Sequence, residues 1–149
     1  MPTPKAATIS ARHSTPANPE FTVEKANRAL VLVRKIVADI VSGYNELVQL
    51  RAERDRLVQD AAGEERIADV GGRVAGCVED LNLLNRELVA IGCVLKDWRT
   101  GLVDFPGLYR GRRVWLCWRL GEPTVAYWHD LHEGYAGRRV IEIGEPAKR

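Results

Sequence analysis

The residues equipped for chemistry gather between Gly101 and Arg138, which hold three of the four tryptophans and the histidines His129 and His132. His129 and His132 form an HxxH. On a helix that spacing would align two metal ligands, but here it spans a strand end and a turn. It also lacks the HExxH context that supplies a general base. Asp104, Asp130 and Glu133 are the oxygen donors that could complete such a site. Two hydrogen-bonded structural histidines are the plainer reading, so neither a metal nor a cofactor is expected. Asp104, Arg119 and Glu122 are charges set among apolar residues at strand ends. An arginine's planar fork suits carboxylate or phosphate. Together with His129, and with tryptophans such as Trp118 and Trp128 as walls, these residues outline a ligand site. The competing reading is an internal salt bridge that fixes the strands against the rest of the fold.

Cys117 invites a role as nucleophile or ligand beside His129, and the strand pattern decides whether that is possible. Arg113 to Leu120 alternates: Val114, Leu116, Trp118 and Leu120 on one face, and Arg113, Trp115, Cys117 and Arg119 on the other. Gly121-Glu122 can make a two-residue turn into a return strand from Thr124 to Asp130. That register sets Trp118 opposite Val125, Trp115 opposite Trp128 and Arg113 opposite Asp130. Cys117 and His129 then fall on opposite faces, and Cys117 is packing. A three-residue loop would shift the pairing by one and bring them onto one face. Arg110, Arg112, Arg113, Arg138 and Arg139 lie near aromatics, as on a nucleic-acid surface. Acidic residues interleave with them, so a solvated face is the expectation. The chain contains no glycine-rich phosphate loop, GxSxG elbow or paired-cysteine zinc motif.

These residues need elements to position them. Val94 to Trp98 and Leu102 to Phe105 are short strand candidates, Pro106-Gly107 marks a turn, and Arg139 to Ile143 suggests a last strand. Ahead of them the period is helical. Thr22 is the expected N-cap, with Phe21 and Ala26 as a weak hydrophobic staple. A seam runs Ala26, Leu30, Val33, Val37, Ile40, Tyr44, Leu47, with further apolar cover at Val31, Ile36, Val41 and Val48. Arg51 and Arg54 fall where it should continue, and the helix is expected to last to about Val58. The stretch 60–65 reverses the chain, with Gly63 as a C-cap. A second seam follows: Ile67, Val70, Val74, Cys77, Leu81, Leu84, Leu88, Ile91, interrupted by Gly71-Gly72 and ended by Gly92. Two matched seams on a short connection predict an antiparallel hairpin. Two helices alone are marginal, so a third layer must come from the strands, from a second copy, or from both. The fold expected is α+β: a long helical hairpin over 21–92, then a small antiparallel sheet over 93–143. Residues 1–20, with four prolines, read as a loosely attached tail, and residues 144–149 as a frayed end.

Composition narrows the function classes. A net charge of +2 argues for neither nucleic acid nor an anionic membrane as partner. No apolar run approaches the ~20 residues of a bilayer span, and the N-terminus lacks the apolar core of a secretory signal. Cys77, Cys93 and Cys117 are odd in number and widely spaced, which suits reduced thiols in a cytoplasm.

Taken together, FTVEKAN at 21–27, GLVDFP at 101–106, CWRLGE at 117–122, YWH at 127–129 and GYAGR at 134–138 resemble a prokaryotic family known as domain of unknown function 2203. The resemblance implies a small cytosolic protein and carries no catalytic residues. It marks Asp104, Phe105, Pro106, Trp118, Arg119, Gly121, Glu122, Trp128, His129, Gly137 and Arg138 as matching positions, which adds Arg138 to the ligand-site candidates and favours His129 over His132. The leading expectation is an interaction or scaffold protein that self-associates as a dimer through its hairpin. The alternative is a small-ligand or metal-binding protein, a hydrolase among the options, with its site on the strands.

Overall fold

The computed structural model describes residues 21–142, and the expectations for residues 1–20 and for the last residues from 143 onward lie outside them. Two helices, α1 (Val23–Gln59) and α2 (Glu64–Ile91), pack along each other and lead into five strands. These are β1 (Val94–Asp97), β2 (Leu102–Tyr109), β3 (Arg112–Arg119), β4 (Tyr127–His129) and β5 (Arg139–Val140), paired antiparallel in chain order as a meander. A 3-10 turn (Tyr135–Gly137) precedes β5. The α+β expectation is met. No helix among the described residues is long and apolar enough to cross a membrane.

The hairpin follows its seams. Ala26, Leu30, Val33, Val37, Ile40 and Leu47 of α1 are buried, as are Val70, Val74, Leu81 and Leu88 of α2. Thr22 caps α1, its hydroxyl accepting from the Lys25 amide at 3.1 Å. Two details differ from expectation. The reversal uses Ala61 in the left-handed conformation (φ 54°), while Gly63 is the N-cap of α2 rather than a C-cap. Gly71 and Gly72 lie inside α2, and a side chain at either would meet nothing within 4 Å. No close backbone approach among the described residues requires them. Val31 and Val48, expected as extra cover, are 78% and 48% exposed. At 100° per residue, Val31, Leu32, Val48 and Val58 spread around α1 instead of forming a stripe.

The third layer is the sheet. Val103, Phe105, Val114, Leu116 and Trp118 are fully buried on one face, and Trp98 stacks near Tyr44 with ring centroids 6.4 Å apart. Phe21 fastens this layer at its start. Its ring meets Phe105 edge-on at 5.1 Å, and its backbone joins β2 as a parallel bridge to Gly107. This explains why Pro106-Gly107 is strand and not turn. A strand residue's N–H and C=O point to the same side, and the Pro106 carbonyl accepts from Phe21 N at 3.1 Å. The missing Pro106 N–H therefore faces the side where β1 has ended, and no ladder partner among the described residues is lost. A side chain at Gly107 would lie 2.5 Å from the Phe21 carbonyl oxygen, so glycine alone admits the bridge.

Candidate functional site

The return from β3 decides the site. Glu122 N donates to Arg119 O at 3.0 Å, closing a tight turn in which Gly121 takes φ 106°. The chain does not pair again at once. Residues 123–125 are held against α1: Asn27 accepts from Val125 N at 2.8 Å and donates to its carbonyl at 3.3 Å, and Arg34 donates to Pro123 O at 3.1 Å. Pairing resumes at Tyr127, with Cys117 opposite Tyr127, Leu116 opposite Trp128 and Trp115 opposite His129. This is one residue away from the two-residue hairpin register. The return strand is Tyr127–His129, not Thr124 to Asp130, and Asp130 pairs with Arg112 and Arg139 instead of Arg113.

The slip carries His129 to the face of Cys117. Asp104, directly opposite Cys117 across the β2–β3 ladder, shares that face. Ligand-capable atoms of Asp104, Cys117 and His129 all lie within 4.8 Å of one another, and the residues are 3%, 0% and 2% exposed. The two-residue register, which set Cys117 and His129 on opposite faces, is therefore corrected to the pairing shifted by one. Trp118 and Trp128, expected as walls of the site, belong to the other face. Trp118 lies under Arg34 of α1 and donates to the Glu122 carbonyl, while Trp128 sits between the guanidinium groups of Arg112 and Arg139.

His129 is held at both ring nitrogens. Nε2 faces both Asp104 carboxylate oxygens at 3.2 and 3.1 Å, and Nδ1 faces the Asp130 carbonyl at 3.0 Å. Both partners are acceptors, so the ring is an imidazolium donating at both ends. Burial opposes that charge. Hydrogen bonds to Asp104 and Cys117, the Asp104 charge and the Asp130 carbonyl outweigh it and push the His129 pKa up to about 10. A ring with no free lone pair cannot take a proton from a thiol, and the thiol has no exposure to solvent. The trio is thus not arranged as a Cys-His-Asp nucleophilic triad.

Arg138 completes the cluster. Its guanidinium lies 3.8 Å from the ring centroid of Tyr127 and 4.4 Å from that of Tyr135. It pairs with the Glu122 carboxylate and donates to Cys117 Sγ at 3.6 Å. Glu122 also accepts from the Arg119 amide at 2.9 Å. The structure therefore brings together Asp104, Glu122, His129 and Arg138 of the expected residues, and adds Cys117, Tyr127 and Tyr135. Tyr127 was legible as the same-face neighbour two residues before His129; Tyr135 carries no signal of that kind. The Arg119 side chain lies outside the cluster, exposed and stacked 5.6 Å over the outer ring, Tyr135. His132 is exposed in the turn after β4 and does not join His129 in a ligand set. Four of the five arginines read as a basic patch are answered in place: Arg110 by Glu142, Arg112 by Asp130, Arg138 by Glu122, and Arg139 by Asp130 and Glu133.

A family model described as "Uncharacterized conserved protein (DUF2203)" matches residues 20–141. The chain belongs to that family. No curated protein and no solved structure matches it. The quoted motifs now have physical roles. In FTVEKAN, Phe21 bridges to β2, Thr22 caps α1 and Asn27 pins Val125; GLVDFP supplies Asp104; CWRLGE supplies Cys117 and Glu122; YWH and GYAGR supply Tyr127, His129, Tyr135 and Arg138.

Proposed function

We propose that this family member is a binding protein for a small charged ligand, which it takes through the ionic cluster on the sheet face away from the helices. The observation that carries this reading is the convergence of Asp104, Cys117 and His129 from three strands, with Glu122 and Arg138 against them. Stability alone gives little reason for such a cluster. A buried ion pair is often replaceable by packed apolar residues with no loss, whereas an apolar layer would cover the sheet without any desolvation cost. The cover is also thin: Tyr135, on the single 3-10 turn above Arg138, is 40% exposed. Binding is favoured over nucleophilic catalysis because the imidazole, a donor at both ends, has no lone pair with which to activate the buried Cys117 thiol. Self-association through the hairpin has less to rest on, since the seam residues that motivated it, Ile67 excepted, pack into the core of one chain.

Thermal shift of the purified protein against divalent metals and small anionic metabolites tests the reading, with Cys117→Ser and Arg138→Lys as controls. The expected result is a ligand that raises the melting temperature of the wild type and loses that effect in the variants. A wild type unmoved across the panel removes the proposal.

A further inference from the structure

Resting on that reading, we propose that the ligand is a single divalent ion of the zinc class, bound by an Asp104 oxygen, Cys117 Sγ and His129 Nε2. These are the oxygen, sulfur and nitrogen donors such ions take, and the thiolate selects against magnesium and calcium. The spacing fits. Tetrahedral coordination at ordinary bond lengths sets oxygen and nitrogen donors about 3.3 Å apart and sulfur about 3.6 Å from either. The Nε2–carboxylate distances are already 3.1 and 3.2 Å. Sulfur lies within 4.8 Å of the other donor atoms, so it has at most about 1.2 Å to close, a small side-chain adjustment.

A second, independent feature points the same way. A coordinating histidine usually gives its other ring N–H to a carbonyl or carboxylate, which fixes the tautomer and aims the free lone pair at the metal. His129 Nδ1 is already committed to the Asp130 carbonyl at 3.0 Å, leaving Nε2 as the nitrogen directed at Asp104, whose strand partner is Cys117. The ion would take the place of the Nε2 proton and of the Cys117 thiol proton, both released to solvent on loading. Charge also balances: a dication with one carboxylate, one thiolate and a neutral imidazole sums to zero, so loading the buried site leaves no uncompensated charge. Arg138, donating to Cys117 Sγ at 3.6 Å, supplies the N–H···S contact that supports a bound thiolate. Three protein ligands leave a fourth position for water or a small anion.

The test is a cobalt(II) titration of chelator-treated protein, followed by zinc competition and elemental analysis of protein purified without chelator. Expected are one ion per chain, the visible bands of tetrahedral cobalt, and a near-ultraviolet sulfur-to-cobalt charge-transfer band. Cys117→Ser, nearly isosteric, should abolish the charge-transfer band and weaken binding at least about tenfold, and Asp104→Asn should weaken it similarly while keeping the sulfur band. Circular dichroism establishes that each variant is folded before it is titrated. Absence of stoichiometric binding, or binding indifferent to both substitutions, overturns the inference. If no cobalt or zinc binds while a small anion still shifts the melting temperature through Cys117 and Arg138, the binding reading survives and the metal does not.

Discussion

Replacing Asp104 with Asn removes the negative charge facing His129 while keeping the size of the side chain. In the wild type the imidazolium is buried, and Asp104 is its counter-ion at 3.1 Å. Against the cost of burial, Asp104 with the smaller help of Cys117 and the Asp130 carbonyl raises the pKa from 6.5 to about 10, which favours the charged ring over the neutral one by on the order of 5 kcal/mol at about 1.4 kcal/mol per pH unit. That agrees with the roughly 3–5 kcal/mol typical of breaking a buried ion pair on one side. The direction with pH follows from linkage. The folded state holds the proton more tightly than the unfolded chain, so the contribution is complete below about pH 6.5. It declines as pH rises and is gone once pH passes about 10. Asp104→Asn should therefore cost several kcal/mol at pH 6 and much less at pH 10. Urea unfolding of both proteins at the two pH values, with chelator present to keep the site metal-free, measures the difference. An equal cost at both, or a cost below about 1 kcal/mol at pH 6, would refute the imidazolium–carboxylate pair.

Other substitutions probe how the site is positioned. Gly107→Ala should destabilise by about 2 kcal/mol or more in a thermal melt, because the new methyl meets the Phe21 carbonyl oxygen at 2.5 Å, where neither side is a flexible side chain. Asn27→Ala leaves the Val125 amide and carbonyl without their side-chain partner, costing about 1–3 kcal/mol and raising hydrogen exchange at that amide. Gly71→Ala and Gly72→Ala should each stabilise α2 by about 0.5–1 kcal/mol in a denaturant titration, since both lie inside the helix with no described atom within 4 Å of an added side chain; a loss of stability at either would refute that account.

The helical half of this protein was legible because its determinants are local. A period near 3.6 running from Ala26 to Leu47, and again from Val70 to Leu88, identifies both inner faces without knowledge of anything else, as do Thr22 and Gly92 for two of the ends. The alternation of Val114, Leu116 and Trp118 was equally plain, and Asp104, Glu122, His129 and Arg138 stood out by type. Their assembly did not. Which side chains share a face after Glu122 depends on a one-residue register, and that register is imposed by Asn27 and Arg34, 98 and 89 residues away from the backbone groups they hold. A slip of one residue in a pleated strand exchanges every side chain between faces. It moved Trp128 away from the site and brought His129 beside Cys117. Local periodicity and residue type mark the scaffold and most of the reactive inventory; tertiary contact between α1 and the 123–125 segment brings Asp104, Cys117 and His129 together.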